Sequence, residues 1–314
     1  MKIAIIYDVP GWAYYAQAVS LKKYAPGHYK VDIFPLAAVP WNELNSYNVS
    51  LWLHYSCIAD ARQKMTALGV NIPVLACYGC GPYNDDELWE STLRNADFVV
   101  VNNAHRWMTG GKRQRTCCIA NGIDEEIFHP TTPISERPHK CLWLGSMLQR
   151  ELKGYQAVIL PLKEELGKRG FEFDFRLIDS YAATATLSEL AGWYDTGSYI
   201  LCASLAEGTP NPILEGMSCG CVPVSTFVGN IREFGRNLHN CVIAERTVDG
   251  FLSALEYARR HRDRLSANAV ETMSSWAYGR GRAQYFYRLW YRLARDGADS
   301  IPPFRYDERE SSEI

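Results

Sequence analysis

Residues 203–234 read ASLAEGTPNPILEGMSCGCVPVSTFVGNIREF. An apolar run typical of a strand, Tyr199–Ala203, leads into this stretch, and a helix start follows at Asn211-Pro212. Asn is a good N-cap, and Pro is favourable in the first helical turn. A strand, a loop and a helix in this order are expected to offer free backbone N–H groups and a helix dipole to a phosphate or pyrophosphate.

Two glutamates flank that helix start. Glu215 lies about one turn into the helix, where its carboxylate can accept from vicinal hydroxyls such as those of a ribose. Glu207 precedes the helix and can reach hydroxyls of a sugar, while Lys153, before another predicted helix, can neutralise a diphosphate. Two glutamates at this spacing also occur by chance on solvated helix faces. Their combination with the surrounding glycines and prolines favours a site for a sugar nucleotide.

The composition sets limits on the class of protein. The chain has 314 residues, of which 47% are apolar, so more than one domain is expected. A formal net charge of -2 gives no general attraction to nucleic acid or anionic lipid, and no apolar run approaches the ~18 residues of a spanning helix. The first residues look like a strand rather than a signal peptide. We therefore expect a cytoplasmic protein whose ten cysteines are reduced thiols.

One cysteine pair has the spacing of half a zinc site. Cys77 and Cys80 form a CxxC, but no second pair with suitable spacing follows. We therefore predict no metal site, and we expect these cysteines to be buried or loop residues.

Apolar strand patterns alternate with helical patterns along the whole chain, which predicts α/β architecture with parallel sheets. The predicted strands are 3–7, 31–34, 49–53, 74–77 and 98–101, followed by 141–144, 173–177, 199–203, 222–225 and 242–243. A polar, proline-dotted segment near residues 129–139 resembles a linker. We predict an N-terminal Rossmann-like domain over 1–128, a C-terminal one over 129–280, a helix at about 281–297 and a tail at 298–314. No GxGxxG follows the first strand, which disfavours a nicotinamide oxidoreductase.

The motifs resemble those of the retaining glycosyltransferases of family 4. That family shows E-G-x-P-N-x-x-x-E-A-M-A-x-G-x-P-V-V and then G-G-x-x-E, and this chain is similar to it from Glu207 to Glu233. The segment Asn121-Gly122-Ile123-Asp124 resembles the family's interdomain junction, and Gly145 with Lys153-Gly154 resembles its phosphate element. The resemblance implies a GT-B fold: two doubly wound parallel-sheet domains facing a cleft, with the last helix crossing back to the N-terminal domain.

The resemblance also implies roles for individual residues. Catalytic roles fall to Glu207 on the transferred sugar, to Lys153 on the diphosphate, and to Arg150, which would replace the family arginine because Ser146 stands at that arginine's position. The residues implied in donor binding are Glu215, Gly208, Thr209, Pro210, Asn211, Ser146 and Gly145. The family retains the anomeric configuration and usually needs no metal or other cofactor. A UDP- or GDP-sugar would be the co-substrate.

The acceptor side is expected in the N-terminal domain, on Asp8, Gly11, Trp12 and Tyr78. The family often has a histidine where Tyr78 stands. A glycan, a lipid, a small molecule or a modified DNA base all remain open as acceptor. The basic residues His105-Arg106 and Lys112–Arg115 are expected to form a solvated face, and the alternative is a contact with phosphates of a lipid, a polyphosphate or DNA.

Other functions and features also remain open. The alternatives are a nucleotide-sugar epimerase of the same fold and a non-catalytic sugar-nucleotide-binding protein, and the oligomeric state is open. The aromatic-rich segment Gly281–Leu293 is predicted as a helix buried on several faces.

Overall fold

The computed structural model describes residues 1–79, 86–111, 113–146, 149–178 and 185–305. The chain forms two compact units. Unit 1 combines Met1–Gly122 with the segment from Gly281 onward, and unit 2 comprises Ile123–Arg280. Cys80 and Lys112 of the motifs above, as well as the residues after 305, lie outside the described residues.

Unit 1 contains a seven-stranded sheet in which all neighbouring strands are parallel, in the order β12-β6-β5-β4-β3-β1-β2. Most of its strands are buried apolar runs, as expected for a sheet covered on both faces. The strands are β1 (Lys2–Tyr7), β2 (Lys30–Pro35), β3 (Val49–Trp52), β4 (Val74–Tyr78), β5 (Phe98–Val101), β6 (Thr116–Cys118) and β12 (Phe304–Arg305). The sequence patterns predicted five of them and missed β6 and β12.

The helices of unit 1 are α1 (Ala13–Lys23), α2 (Ile58–Ala67), α3 (Asp86–Asn95), the short α4 (Ala104–Arg106) and α11 (Ala283–Asp296). The last helix packs on this unit, since the hydroxyl of Tyr287 donates to the carbonyl of Leu21 at 2.5 Å. Its aromatic residues do not surround it as the sequence suggested. Phe286, Tyr287 and Trp290 are buried, whereas Tyr291 is half exposed, so the helix is amphipathic with one buried face.

Unit 2 contains a five-stranded parallel sheet in the order β11-β10-β9-β7-β8. The strands are β7 (Lys140–Ser146), β8 (Glu172–Ile178), β9 (Tyr199–Cys202), β10 (Val222–Ser225) and β11 (Val242–Ile243). The helices are α5 (Leu160–Lys168), α6 (Leu187–Tyr194), α7 (Asn211–Ser218), α8 (Ile231–Phe234), α9 (Val248–Arg260) and α10 (Arg262–Ser274). A π-helical turn, Tyr155–Ile159, precedes α5. All five strands agree with the sequence patterns, which missed α8.

The segment read as a linker is anchored in unit 2 by a buried ion pair. The guanidinium of Arg137 bonds to the carboxylate of Asp195, and both side chains are nearly inaccessible. Thr131 also donates to Asp195 through its hydroxyl and its backbone N–H. Burial alone would raise the pKa of Asp195, but the hydrogen bonds from Thr131 and Thr132 and the charge of Arg137 lower it below its usual value.

Candidate functional site

The loop between β9 and α7 starts at the carboxyl edge of the unit 2 sheet, where parallel sheets bind ligands. Helix α7 begins at Asn211, and Pro210 occupies the N-cap position without a side-chain cap. The expected capping role of Asn211 is therefore wrong by one residue. The N–H groups of Asn211 and Ile213 bond to the carbonyls of Thr209 and Pro210, at 2.9 and 2.8 Å. The first turn is tightened by these bonds, so the expectation that these N–H groups are free is also wrong.

A turn after β10 closes against this loop. Gly229 has a φ of +54°, and a Cβ there would lie only 2.6 Å from the carbonyl oxygen of Gly208. Next to it, the buried Asn230 accepts from the hydroxyl of Thr209 at 2.6 Å and donates to Glu233 at 2.6 Å. The loop Gly208–Thr209 is thus held in place by a side-chain network that begins on α8.

Lys153 and Glu207 form a direct ion pair, although they are distant in sequence. The Nζ atom of Lys153 lies 2.5 Å from Oε1 of Glu207, and their side chains are 19% and 10% exposed. The hydroxyl of Ser204 donates to the same carboxylate oxygen at 2.6 Å. The two residues expected to hold diphosphate and sugar are therefore adjacent.

Backbone contacts bring the lysine to this position. Gly154, next to Lys153, has a φ of +74°, and a Cβ there would lie 2.4 Å from the carbonyl oxygen of Ala203. The N–H of Leu205 donates to the carbonyl of Leu152 at 2.9 Å. Glycine is needed here because any side chain would push the lysine loop away from the end of β9.

Arg246, which the sequence motifs did not single out, ties the same two segments together. Its Nε donates to the carbonyl of Ala203 at 2.8 Å, and its Nη2 donates to the carbonyl of Glu151 at 3.0 Å. The one available signal was its place shortly after strand β11, at the carboxyl edge of the sheet. Arg246 supports the lysine loop rather than the reacting groups.

The remaining phosphate-side residues follow strand β7. Gly145 lies near the end of that strand, and a Cβ there would overlap the indole of Trp143 at 2.4 Å. Ser146 is the last strand residue and is partly buried. Arg150 is exposed, and its guanidinium makes no hydrogen bond or ion pair with the residues that the structure describes.

Glu215 is bound by a buried tyrosine. The hydroxyl of Tyr194, at the end of α6, donates to Oε2 of Glu215 at 2.7 Å. Burial raises the pKa of Glu215 to about 7, and the hydrogen bond from Tyr194 partly opposes that rise. Sequence reasoning identified Glu215 but not Tyr194, because the pairing joins residues on two helices.

In unit 1, the predicted acceptor residues occupy different environments. Asp8 follows β1, and its Oδ1 atom is buried without a hydrogen bond to the described residues. Gly11, with a φ of +82°, and the partly buried Trp12 precede α1. Tyr78 is only 2% exposed, and its ring packs against Tyr55 and Trp89, so its expected role on the acceptor side stays a prediction.

Beside Tyr78, polar side chains converge on Gly79. A Cβ at Gly79 would lie 2.7 Å from the hydroxyl of Tyr14 and 3.7 Å from Nδ2 of Asn102. The partly exposed His54 packs edge-on against Tyr14 at 5.8 Å, and its Nδ1 lies 2.8 Å from the hydroxyl of Ser56. These groups follow the carboxyl ends of β3, β4 and β5, where a ligand of this sheet is expected.

The basic residues of unit 1 are largely compensated by carboxylates. Arg113 lies 2.8 Å from Glu90, and Arg106 lies 3.6 Å from Asp86. These two arginines thus lie beside opposite charges, which agrees with the solvated-face reading.

Two other features, a metal-binding cluster and a membrane-spanning helix, are absent from the described residues. Within the described ranges, no group of three or more His, Cys, Asp or Glu residues could hold a metal ion. Cys77 is fully buried in β4, and burial raises its pKa to about 12. No helix in the described part of the chain has the length and hydropathy to cross a membrane.

Comparisons with known proteins agree with the architecture. Residues 161–260 match the family model described as Glycosyl transferases group 1. Similar solved structures are a sucrose-phosphate synthase from Thermosynechococcus elongatus (13% identity, TM-score 0.71, 93% of this chain and 99% of that one) and Anabaena HepE in complex with UDP-glucose (14% identity, TM-score 0.70, 93% and 100%). A third is the catalytic domain of starch synthase IV from Arabidopsis thaliana bound to ADP and acarbose (11% identity, TM-score 0.68, 93% and 99%).

No curated protein sequence matches this chain significantly. The structural similarities confirm the predicted GT-B fold, and the family match supports a glycosyltransferase.

Proposed function

We propose that this protein is a retaining glycosyltransferase of the family 4 type, which moves a sugar from a nucleoside diphosphate sugar to a hydroxyl acceptor. The observation that carries the proposal is the Lys153–Glu207 ion pair at the carboxyl edge of the unit 2 sheet. It places a cation for a diphosphate beside a carboxylate for sugar hydroxyls. The structural relatives whose titles name UDP, UDP-glucose or ADP are consistent with such a donor.

Donor binding is assigned to unit 2. Glu215 accepts from the ribose, Glu207 accepts from hydroxyls of the transferred sugar, and Lys153 neutralises the diphosphate together with Arg150. The backbone near Gly145 and Ser146, and the loop from Gly208 through Thr209 and Pro210 to Asn211, complete the pocket. No metal or other cofactor is assigned a role, and a UDP- or GDP-sugar is the first choice of donor.

The proposed reaction exchanges one bond at the anomeric carbon for another on the same face. The bond between that carbon and the diphosphate oxygen breaks, and the electron pair leaves with the diphosphate. The acceptor oxygen bonds to the carbon, and its proton passes to an oxygen of the departing phosphate. The chain's contribution is to position both reactants and to stabilise the charge on the leaving group through Lys153 and Arg150.

The acceptor is assigned to unit 1, near Asp8, Gly11 and Trp12. The buried Oδ1 of Asp8 would accept from an acceptor hydroxyl, which fits a glycan or another polyhydroxylated molecule. The compensated charges of Arg106 and Arg113 do not favour a DNA acceptor.

Turnover of nucleotide sugars tests the proposal. The protein is incubated with UDP-, GDP- and ADP-sugars, with water or simple glycans as acceptor, and release of the nucleoside diphosphate is measured. Lys153→Ala and Glu207→Gln are each expected to reduce the rate by about 100-fold or more, as losses of transition-state stabilisation do. Glu256→Gln on helix α9, which removes one charge of a surface ion pair, is the control and should leave the rate unchanged.

Two results would contradict the proposal. One is wild-type turnover in both site variants, and the other is an inverted anomeric centre in the product by NMR. Interconversion of the donor sugar without release of diphosphate would instead indicate an epimerase.

A further inference from the structure

Tyr194 is a fully buried side chain with one polar atom. Its ring packs beside Trp193 at 5.1 Å and edge-on to Phe128 at 6.3 Å, and its residue exposure is 0%. The carbonyl of Tyr194 accepts from the thiol of Cys221 at 3.1 Å. These contacts fix the ring on all sides, so the position of the hydroxyl is set by the core of unit 2 rather than by solvent.

The hydroxyl of Tyr194 can act in only one way toward Glu215. Burial and the nearby charge of Glu215 raise the pKa of Tyr194 well above its ordinary value. The phenol therefore keeps its proton at every working pH and donates to Oε2 of the carboxylate. A carboxylate held by one fixed donor presents its other oxygen in a fixed direction. Among the described residues, nothing hydrogen-bonds to Oε1 of Glu215.

We propose that Tyr194 is the positioning residue that aims Glu215 at the two vicinal hydroxyls of a ribose, and that this pair makes the site select ribonucleotides over 2′-deoxyribonucleotides. The proposal rests on the donor site assigned above. A rotating carboxylate would accept from whichever single hydroxyl is present. A fixed carboxylate binds a ligand with both hydroxyls more tightly than a ligand with one. Each missing hydroxyl leaves a partly buried acceptor without a hydrogen bond, which lowers the affinity.

The surroundings of Glu215 support this division of roles. Cys219, directly after helix α7, and Cys221, just before β10, carry thiols whose pKa values burial raises above the ordinary value, so both thiols stay uncharged. Helix α10, which packs against α7, buries only uncharged residues: Leu265, Ser266, Ala269 and Met273. The nearby charged side chains of Arg137 and Asp195 form an ion pair with each other. Tyr194 is thus the one hydrogen-bond donor that the described residues direct at this carboxyl.

Binding of matched nucleotide pairs tests the inference. Dissociation constants of UDP, ADP and GDP and of their 2′-deoxy forms are measured by calorimetry on the full chain and on Tyr194→Phe. The wild type is expected to prefer the ribonucleotide by about tenfold or more, the size of one hydrogen bond to a charged group. In Tyr194→Phe the preference should fall to about twofold, with affinity for the ribonucleotide reduced and affinity for the deoxy form little changed.

The matched control is Tyr199→Phe, which removes the hydroxyl of another fully buried tyrosine of unit 2, bonded to His139 at 2.8 Å. It should keep the wild-type preference. Glu215→Asp keeps the charge but withdraws the carboxylate from Tyr194, and it should lose the preference too, which keeps the test open if Tyr194→Phe does not fold.

The outcomes separate the two levels of the argument. Unchanged selectivity in folded Tyr194→Phe, or in Glu215→Asp, would overturn the positioning role while leaving the donor site intact. A wild type that binds ribo- and deoxyribonucleotides equally would also overturn it. A wild type that binds no nucleotide at all would instead remove the donor site itself.

Discussion

Affinity for the nucleotide sugar is expected to rise with pH through neutrality. Glu215 must be ionised to accept from both ribose hydroxyls, yet burial raises its pKa to about 7, even with the opposing hydrogen bond from Tyr194. Below that pH the protonated carboxyl has lost part of its acceptor capacity. The sign is therefore fixed: protons compete with the ligand, and acid weakens binding.

The size of the effect follows from that pKa. With a value of about 7, roughly 9% of Glu215 is ionised at pH 6 and roughly 91% at pH 8. The dissociation constant should thus fall about tenfold between those pH values, a change of about 1.4 kcal/mol. A glutamate with an ordinary pKa near 4.3 would give almost no change over this range.

Calorimetric titration with UDP-glucose, or with whichever nucleotide sugar binds, provides the assay. A nucleotide sugar is preferred over the free diphosphate, because a terminal phosphate itself ionises near pH 6. Glu215→Gln is the control and should show a weak affinity that does not vary between pH 6 and 8. The reasoning fails if the wild type shows a flat profile, or if Glu215→Gln keeps the full tenfold dependence.

Three further predictions concern stability. Arg137→Ala should lower the free energy of unfolding by about 3–5 kcal/mol in chemical denaturation, since it leaves the buried Asp195 without its charge partner. Gly154→Ala should lower the free energy of unfolding by about 2 kcal/mol or more and should reduce turnover. An alanine is strained in the left-handed backbone conformation, and its Cβ would lie only 2.4 Å from the carbonyl oxygen of Ala203. Glu215→Gln should be more stable than the wild type by about 3 kcal/mol at pH 8 and equal to it near pH 4. The pKa of Glu215 is higher in the folded state than in the unfolded state. The wild type therefore loses stability as pH rises from about 4.3, the ordinary glutamate pKa, to about 7.

Each of these stability predictions has a matched comparison. Lys168→Ala removes half of the exposed pair with Glu165 and should leave the free energy of unfolding almost unchanged, so an equally small loss in Arg137→Ala would refute the argument from burial. Gly170 has a φ of +73°, and a Cβ added there would meet no atom within 4 Å. Gly170→Ala therefore measures the cost of the left-handed backbone alone. Turnover equal in both glycine variants would count against the lysine-loop role of Gly154. If the stability of Glu215→Gln follows that of the wild type across the pH range, burial does not disfavour the ionised form of Glu215.

Local patterns predicted most of the architecture. Strands such as Phe98–Val101 and Val222–Ser225 were recognisable as short apolar runs, and their bounds agree with the structure. Strand β6 was missed because Thr116–Cys118 is only three residues long. Strand β12 was missed because Phe304–Arg305 is a strand only through its pairing with β6, and two residues carry no period of their own.

The candidate site was predictable in its residue types but not in its pairings. Lys153 and Glu207 could each be assigned a ligand from motif letters, yet their mutual contact depends on the close approach at Gly154, which no local pattern encodes. Tyr194 and Arg246 were invisible for the same reason, since both act across elements that are distant in sequence. The burial of Tyr78 depends on packing by rings from two other segments, Tyr55 and Trp89, and no local pattern shows that contact.

In the proposed donor site, the Lys153–Glu207 pair would also discriminate among anions. A lysine that already holds a carboxylate at 2.5 Å carries little unbalanced charge, so a lone phosphate must compete with an internal counter-ion that is always present at high local concentration. A nucleotide sugar would not face that competition in the proposed site. Its sugar hydroxyls would donate to the Glu207 carboxylate, while its diphosphate would pair with the Lys153 ammonium. The ion pair thus works as an internal competitor, and millimolar inorganic phosphate should inhibit sugar transfer weakly.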